Sequence, residues 1–216
     1  MREGRFITFE GGEGVGKSTQ IRLLAERLRK HTREVVTTRE PGGTPLAEKL
    51  RHVVLSGQAR NLGPLGEALL FSAARIDHLD RIIRPALARG AFVLCDRFSD
   101  STRVYQGAKG GVEPALLTTL EKVTLAGCAP DLTLILDLPV EIGLARAGAR
   151  RGEVAADRFE GEALTFHQGL REGFLAIAAK EPKRCTVIDA AQSLEEVAAA
   201  IWQAVEPQLA GAKKWP

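Results

Sequence analysis

Short runs of apolar residues recur along the chain, separated by longer stretches in which apolar positions repeat with a helical period. Five runs have the length and composition of strands: residues 5–10, 34–38, 91–96, 132–138 and 185–189. Runs such as 132–138 are apolar throughout, which is typical of strands covered on both faces. The pattern therefore predicts an α/β fold, a doubly wound five-stranded parallel sheet with helices on both faces.

The stretches between these runs predict helices. After a first helix that begins near residue 17, further helices are predicted at 45–55, 65–88, 101–107, 114–126, from about 140, and at 164–180. Ser193 and Glu196 have the spacing of a capping box, which predicts the start of a last helix. Because no repeat, low-complexity block or linker interrupts the pattern, we expect one domain that spans residues 1–216.

Composition narrows the function classes. The net charge is only +3, and acidic and basic residues are interspersed, which argues against a dedicated nucleic-acid binder. The three cysteines, Cys95, Cys128 and Cys185, are far apart and suggest neither a disulfide framework nor a zinc site. No apolar run has the length of a membrane span or the form of a signal core. We therefore expect a cytoplasmic protein that does not associate with membranes.

A phosphate-binding loop follows the first predicted strand. The eight residues Gly11, Gly12, Glu13, Gly14, Val15, Gly16, Lys17 and Ser18 match G-x-x-x-x-G-K-[ST] in full, and Thr19 continues into the helix. Glycines let backbone N–H groups turn towards phosphate oxygens, and the helix directs its positive end at the same anion. Lys17 can reach the β- and γ-phosphates, and the Ser18 hydroxyl can ligate Mg²⁺. The motif predicts a site for ATP and Mg²⁺.

Phosphate binding alone does not identify the reaction. GTPases carry an N-K-x-D motif that reads the base, and this chain has none. It also lacks a switch-type D-x-x-G after a strand, because Asp137 is followed by Leu-Pro-Val. Motor and transport ATPases and small-molecule kinases remain.

A second group of polar residues closes the strand at 91–96. Asp96 at its carboxyl end should lie beside the phosphate loop and near the metal, and Arg97 should project into the same crevice. The alternative is a helix-capping aspartate beside a solvent-exposed arginine. The apolar strand favours the first interpretation because it fixes where Asp96 lies.

Other basic residues follow the strands. Arg39, Arg51 and Arg75 fall in loops or at helix starts. Phe71 precedes Arg75 by four residues, so the two share a helix face and could offer a ring to a base and a guanidinium to its phosphate. Taken alone, Phe71 is more typical of a core position.

An arginine cluster, Arg146, Arg150 and Arg151, is separated by glycine and alanine and leads to Asp157. Phosphoryl transfer needs positive charge and exclusion of water, and a lid over about residues 146–160 could supply both. A solvated basic turn is the alternative. The phosphate loop favours the lid.

Together these residues resemble the bacterial thymidylate kinases, from residue 6 to about residue 205. The most specific matching blocks are residues 9–14, 38–44, 71–75, 96–102, 105–107 and 157–160. The R-E-P-G-G-T and Y-Q-G blocks separate the chain from adenylate and guanylate kinases. The resemblance implies a P-loop kinase fold with a short arginine-rich lid, and homodimers formed through helices that include residues 65–88.

The resemblance also implies roles for the base-binding and sugar-binding residues. Phe71 would stack on thymine, Arg75 and Gln106 would hydrogen-bond the base, and Thr102 would lie beside it. Tyr105 would pack under the sugar where a 2′-hydroxyl would project.

The resemblance implies further roles around the phosphates, for Arg39, Arg51, Arg97, Glu13, Asp157 and Glu160. Arg97 and Arg39 would contact the dTMP phosphate, with Arg51 nearby. Glu13 would lie near the metal and the acceptor, and the last two residues would help to close the site.

One departure concerns the loop itself, where some family members carry an arginine at the position of Glu13. This chain resembles the class whose lid supplies the catalytic arginine, with Arg151 and Arg146 as candidates. The expected reaction is transfer of a phosphoryl group from ATP·Mg²⁺ to dTMP, giving dTDP and ADP in dTTP synthesis. Another small kinase on the same scaffold and a regulatory or partitioning ATPase are the alternatives.

Overall fold

In the computed structural model, residues 4–32, 34–152 and 159–209 are described. Five strands form one parallel sheet: β1 Arg5–Glu10, β2 Val35–Arg39, β3 Phe92–Asp96, β4 Leu132–Asp137 and β5 Cys185–Asp189. Their order is β2-β3-β1-β4-β5. The predicted five-stranded parallel sheet is confirmed.

Helices connect consecutive strands, and a last helix follows β5. They are α1 Lys17–Leu28, α2 Pro45–Leu55, α3 Gly63–His78, α4 Arg84–Ala88, α5 Ser99–Thr102, α6 Pro114–Leu125, α7 Val140–Arg151, α8 Leu164–Lys180 and α9 Leu194–Leu209. No helix in the described part of the chain combines the length and apolar character that crossing a bilayer requires.

Both faces of the sheet are covered, as the uniformly apolar strands predict. On one face, Ile7 and Phe9 of β1 belong to a buried cluster with residues of α1 and α9. On the other, Phe6 is buried against Leu79 and Ile83, between α3 and α4. Successive residues of β1 point to opposite faces, so one strand anchors both layers.

The strand order positions the site. In the sheet, β2 and β3 lie to one side of β1, and β4 and β5 lie to its other side. The order of strands therefore reverses at β1. Asp96 of β3 is level with Phe9 of β1 and with Arg39 of β2, so the segments that follow these three strands start at one edge. In doubly wound sheets the crevice at this reversal of strand order binds ligands.

Two predicted helices are interrupted by wider π-helical turns. Within the predicted 65–88 helix, such a turn covers Leu79–Ile83 and joins α3 to α4. Pro85 follows in the first turn of α4, and because proline lacks an N–H it cannot complete the regular α-helical ladder there. Another π-helical turn, Arg103–Lys109, continues α5. It carries Tyr105 and Gln106, both of which line the cavity described below.

Candidate active site

The loop after β1 closes around its own lysine. Gly16, which caps α1, has a φ of +94°, a backbone conformation that glycine adopts without strain. The turn places Lys17 at the start of α1, where its Nζ donates hydrogen bonds to the carbonyl oxygens of Gly11 (3.3 Å) and Gly12 (2.8 Å). Burial and the positive charge of Arg97 lower the pKa of Lys17. The result is a buried cation at a helix N-terminus, a suitable site for phosphate.

Two oxygen ligands lie together beside this loop. The Ser18 hydroxyl donates a hydrogen bond of 2.7 Å to Oδ2 of Asp96. A hydroxyl and a carboxylate are the hard donors that Mg²⁺ accepts, and it completes its shell with phosphate oxygens and water. Among the described residues, no cluster of three His, Cys, Asp or Glu side chains could hold a metal by itself. The donor set therefore fits a Mg²⁺ ion that a nucleotide brings with it.

Arg97 links the phosphate loop to the far half of the cavity. Its Nη1 donates to the carbonyl oxygen of Gly11 at 3.0 Å, and its Nη2 donates to Glu13 Oε1 at 2.5 Å. The Tyr105 hydroxyl donates to the same Glu13 oxygen at 3.2 Å. Burial opposes ionisation of Glu13, but Arg97 and Lys17 outweigh it and lower the pKa of Glu13 to about 2. The carboxylate is therefore charged at neutral pH.

The backbone of Arg97 is itself unusual. Its φ of +65° lies in the left-handed region, which residues other than glycine rarely adopt and which often marks a functional site. Glu10 holds this segment: its Oε1 accepts from the backbone N–H groups of Phe98 (2.8 Å) and Ser101 (3.2 Å). Its Oε2 accepts from the Ser101 hydroxyl at 2.7 Å. Burial and the charge of Asp100 raise the pKa of Glu10 to about 7.

The opposite end of the cavity is built around Arg75. This buried side chain donates from Nε to Glu40 (2.6 Å) and from Nη2 to the carbonyl oxygen of Phe98 and the hydroxyl of Thr102, each at 3.2 Å. Glu40 also contacts Nδ1 of His78 at 3.0 Å. Within the described residues Nη1 of Arg75 makes no hydrogen bond, so this nitrogen remains available to a ligand.

Gln106 offers a second ligand-binding group at this end. Its side chain is buried, and its Nε2 donates to Glu67 at 3.3 Å. Its Oε1 has no hydrogen-bond partner among the described residues. A buried carbonyl without a partner is costly, and this one belongs to a residue that lines the cavity. Because Oε1 itself is buried, a ligand N–H group would reach it only after the amide turned towards the cavity.

One cavity of about 480 Å³ joins the two ends, a size that suits small-molecule ligands. The phosphate-loop side is lined by Glu13, Gly14, Val15, Gly16, Lys17, Ser18, Thr19, Asp96 and Arg97. The other side is lined by Arg39, Glu40, Arg51, Phe71, Arg75, Thr102, Tyr105 and Gln106. The structure thus brings together phosphate-loop, strand-end and helix residues that are far apart in sequence.

Part of the predicted lid reaches this cavity. Arg150 and Glu160 line it, and the Phe159 ring packs edge-on against Tyr105 with 5.2 Å between ring centroids. Arg146 lies on an exposed part of α7 and is not among the lining residues. The side chain of Arg151 and the whole of Asp157 lie outside the described residues.

Comparison with known proteins shows the family of the chain. The family model described as thymidylate kinase matches residues 9–201. A thymidylate kinase of Rhodopseudomonas palustris is 61% identical over 216 residues, covering 97% of this chain and 94% of the relative. One from Bradyrhizobium diazoefficiens is 59% identical over 206 residues, covering 95% and 90%.

The chain belongs to the thymidylate kinase family. A crystal structure of thymidylate kinase from Ehrlichia chaffeensis is 34% identical and superimposes with a TM-score of 0.75, covering 94% of this chain and 98% of that one. Membership of the thymidylate kinase family makes this protein a kinase, and the predicted P-loop kinase fold is confirmed.

Within this family fold, two residues that sequence reasoning did not place in the site prove central to its geometry. Glu10 supports the Arg97 segment, and Glu40 holds Arg75. Among the arginines of the predicted lid, Arg150 was not named as a catalytic candidate, yet it lines the cavity. Glu10 and Glu40 stand in two of the matching sequence blocks, which was the available signal. Their partners are distant in sequence, so the pattern alone could not assign their roles.

Proposed function

We propose that this protein transfers the γ-phosphoryl group of ATP·Mg²⁺ to dTMP, giving dTDP and ADP. The observation that carries the proposal is the position of Arg97. Its guanidinium contacts the Gly11 carbonyl on the phosphate-loop side and Glu13, the partner of Tyr105, towards the other side. A cation at this junction can contact both the transferred group and the phosphate that accepts it.

ATP would occupy the phosphate-loop side. Gly11, Gly12, Gly14 and Gly16 would direct backbone N–H groups at its phosphates, and Lys17 would neutralise the β- and γ-phosphates. Ser18 would hold Mg²⁺, with Asp96 hydrogen-bonded beside it. The metal would neutralise charge that develops on the phosphate oxygens.

dTMP would occupy the other side. Phe71 and Arg75 line the same wall from α3, so a base stacked on the ring would meet Arg75 Nη1 and Gln106 Oε1. An N–H and a carbonyl in one pyrimidine edge match this donor and acceptor, with Thr102 beside them. The deoxyribose would lie over Tyr105, which disfavours a 2′-hydroxyl.

The acceptor phosphate would lie among three arginines. Arg97 would contact it directly. Arg39 and Arg51 line the same side, held by Glu48 at 2.8 Å and by the Pro41 carbonyl at 2.9 Å. A phosphate monoester is largely dianionic near neutral pH and needs no strong general base to attack the γ-phosphorus in line. Positioning and charge neutralisation therefore supply most of the catalysis.

The lid over about residues 146–160 would close the site and supply an arginine to the transferring group. Arg146 and Arg151 stay candidates for this role, and Arg150 joins them because it lines the cavity. Asp157 and Glu160 would assist closure. The lid would then be a part of one kinase domain that spans residues 1–216.

We also propose a cytoplasmic homodimer. Exposed apolar side chains on α3 and α6 support a self-association surface, namely Leu65, Leu69, Ile76, Leu116 and Val123. The three cysteines are free and buried, as expected in a reducing compartment.

The test is ADP formation from ATP·Mg²⁺ with dTMP, dUMP, TMP, dCMP, dGMP and AMP as acceptors. We expect ADP formation to be fastest with dTMP. With TMP, the ribonucleotide that carries a 2′-hydroxyl, it should be much slower because of Tyr105. Preference for a different acceptor would reassign the base-binding residues. The same slow ADP release with every acceptor would replace the kinase by a regulatory ATPase.

A further inference from the structure

The backbone of the phosphate loop and the backbone of α7 touch without any side chain between them. A Cβ atom added to Gly14 would overlap the Gly143 carbonyl oxygen and lie 2.8 Å from its carbon and 3.1 Å from the Ala147 nitrogen. A Cβ added to Gly143 would overlap the carbonyl oxygen of Glu13. A methyl group on either side would therefore force the helix and the loop apart.

The same face of α7 continues to the cavity. Gly143, Ala147 and Arg150 have the spacing i, i+4 and i+7, which places them on one side of a helix. Ala147 is buried. Arg150 lies about 10 Å from Gly143 along the helix axis, by the rise of an α-helix, and lines the cavity beside the phosphate loop. The contact at Gly143 thus sets the distance between α7 and the loop, and with it the position of Arg150.

We propose that Gly143 is a positioning residue for the phosphoryl transfer described above. The absence of a side chain at Gly143 lets α7 lie directly on the loop that cradles the ATP phosphates. This close approach brings the guanidinium of Arg150 within reach of the transferring group. The inference rests on the proposed function and adds a residue that never touches a substrate.

The test compares Gly143→Ala with Gly148→Ala. Both substitutions add one methyl group to α7 and raise its helix propensity alike, but a Cβ at Gly148 meets no atom within 4 Å. We expect Gly143→Ala to lower kcat with saturating ATP·Mg²⁺ and dTMP by about 10- to 100-fold, the cost of a displacement near 1 Å. The KM for dTMP should change little, because no residue of α7 other than Arg150 lines the cavity among those described. Gly148 belongs to the lid, so we expect Gly148→Ala to lower kcat less than Gly143→Ala does rather than to leave it unchanged.

Combination with Arg150→Ala separates positioning from general damage. If Gly143 acts through Arg150, the double variant Gly143→Ala/Arg150→Ala should be no slower than Arg150→Ala alone. A double variant that loses the product of both effects would overturn the inference. So would a Gly143→Ala enzyme as fast as Gly148→Ala.

A second variant covers the case in which Gly143→Ala does not fold, judged by circular dichroism and thermal unfolding. Ala147→Val adds bulk one turn further along α7, where the helix also lies close to Gly14, and should likewise move α7 away from the phosphate loop. Its effect on kcat should show the same dependence on Arg150. An Ala147→Val kcat equal to wild type, or a loss independent of Arg150, would then overturn the inference. Failure of the proposed function is distinguishable, because wild type and Gly148→Ala would themselves show no transfer to dTMP.

Discussion

Arg75 donates a hydrogen bond of 2.6 Å from its Nε to Glu40, and both side chains are almost fully buried. The other Glu40 oxygen contacts His78 Nδ1, and His78 Nε2 lies 2.7 Å from the Thr38 hydroxyl. The chain of contacts runs from the end of β2 to the last turn of α3. It fixes the guanidinium that we assign to the base, and it does so at the cost of burying charge.

Replacing Glu40 by alanine should therefore destabilise the protein by about 3–5 kcal/mol, because it leaves the buried Arg75 without its charged partner. The free energy of unfolding in urea measures this. Glu26→Ala is the matched control, since Glu26 pairs with Arg22 on the surface, where both side chains are more than half exposed. Such a pair contributes little. Equal losses in the two variants would contradict the assignment of Glu40.

The contributions of Glu10 and Glu13 to the free energy of unfolding should depend on pH in opposite directions. The pKa of Glu10 is raised from 4.5 to about 7 by burial and by Asp100, so its contribution is fully present below about pH 4.5 and is lost as the pH rises through 7. The pKa of Glu13 is lowered to about 2 by Arg97 and Lys17 against its burial. Its contribution is present above about pH 4.5 and is lost as the pH falls towards 2.

These signs can be checked by urea unfolding of wild type, Glu10→Gln and Glu13→Gln from about pH 3 to about pH 8. The advantage of wild type over Glu10→Gln should shrink between about pH 5 and pH 8. Its advantage over Glu13→Gln should shrink only below about pH 4.5. Parallel curves for the two variants would show that the two carboxylates do not differ in this way.

Local patterns predicted the strands and the phosphate loop because each depends on neighbouring residues. The apolar run that ends at Glu10 and the following glycines suffice to specify a strand, a phosphate loop and a helix start. The role of Glu40 could not be predicted in this way, because it depends on Arg75 and His78, which are distant in sequence. Which arginine of α7 faces the cavity depends on the rotation of the helix about its axis, because neighbouring residues point about 100° apart. The contact between Gly143 and the phosphate loop sets this rotation.

Lys17→Ala should reduce kcat with dTMP by at least about 100-fold, because it removes a buried cation from the charged transition state. The fold should persist: Lys17 Nζ donates to Gly11 and Gly12 at the surface of the cavity and takes no part in the apolar core. Turnover and thermal unfolding of the same preparation separate the two effects. Full activity in Lys17→Ala would contradict the assignment of the phosphate loop.

Gln106 and Gln20 provide a matched pair for the base-binding assignment. Both side chains are buried, both donate from Nε2 to an oxygen, and both have an Oε1 without a partner among the described residues. Only Gln106 lines the cavity. If its Oε1 accepts a hydrogen bond from the base, Gln106→Leu should lower kcat/KM for dTMP by about 10- to 100-fold, the value of one to two lost hydrogen bonds.

Gln20→Leu should leave kcat/KM for dTMP close to wild type, because Gln20 donates to the Leu194 carbonyl on the far side of α1 and has no assigned ligand. The KM for ATP should change little in either variant, which separates the acceptor site from the donor site. Similar losses in both variants would mean that buried glutamines matter here only for packing. A loss confined to Gln106→Leu, and largest for the acceptor with the best kcat/KM, would establish that this carbonyl reads the base.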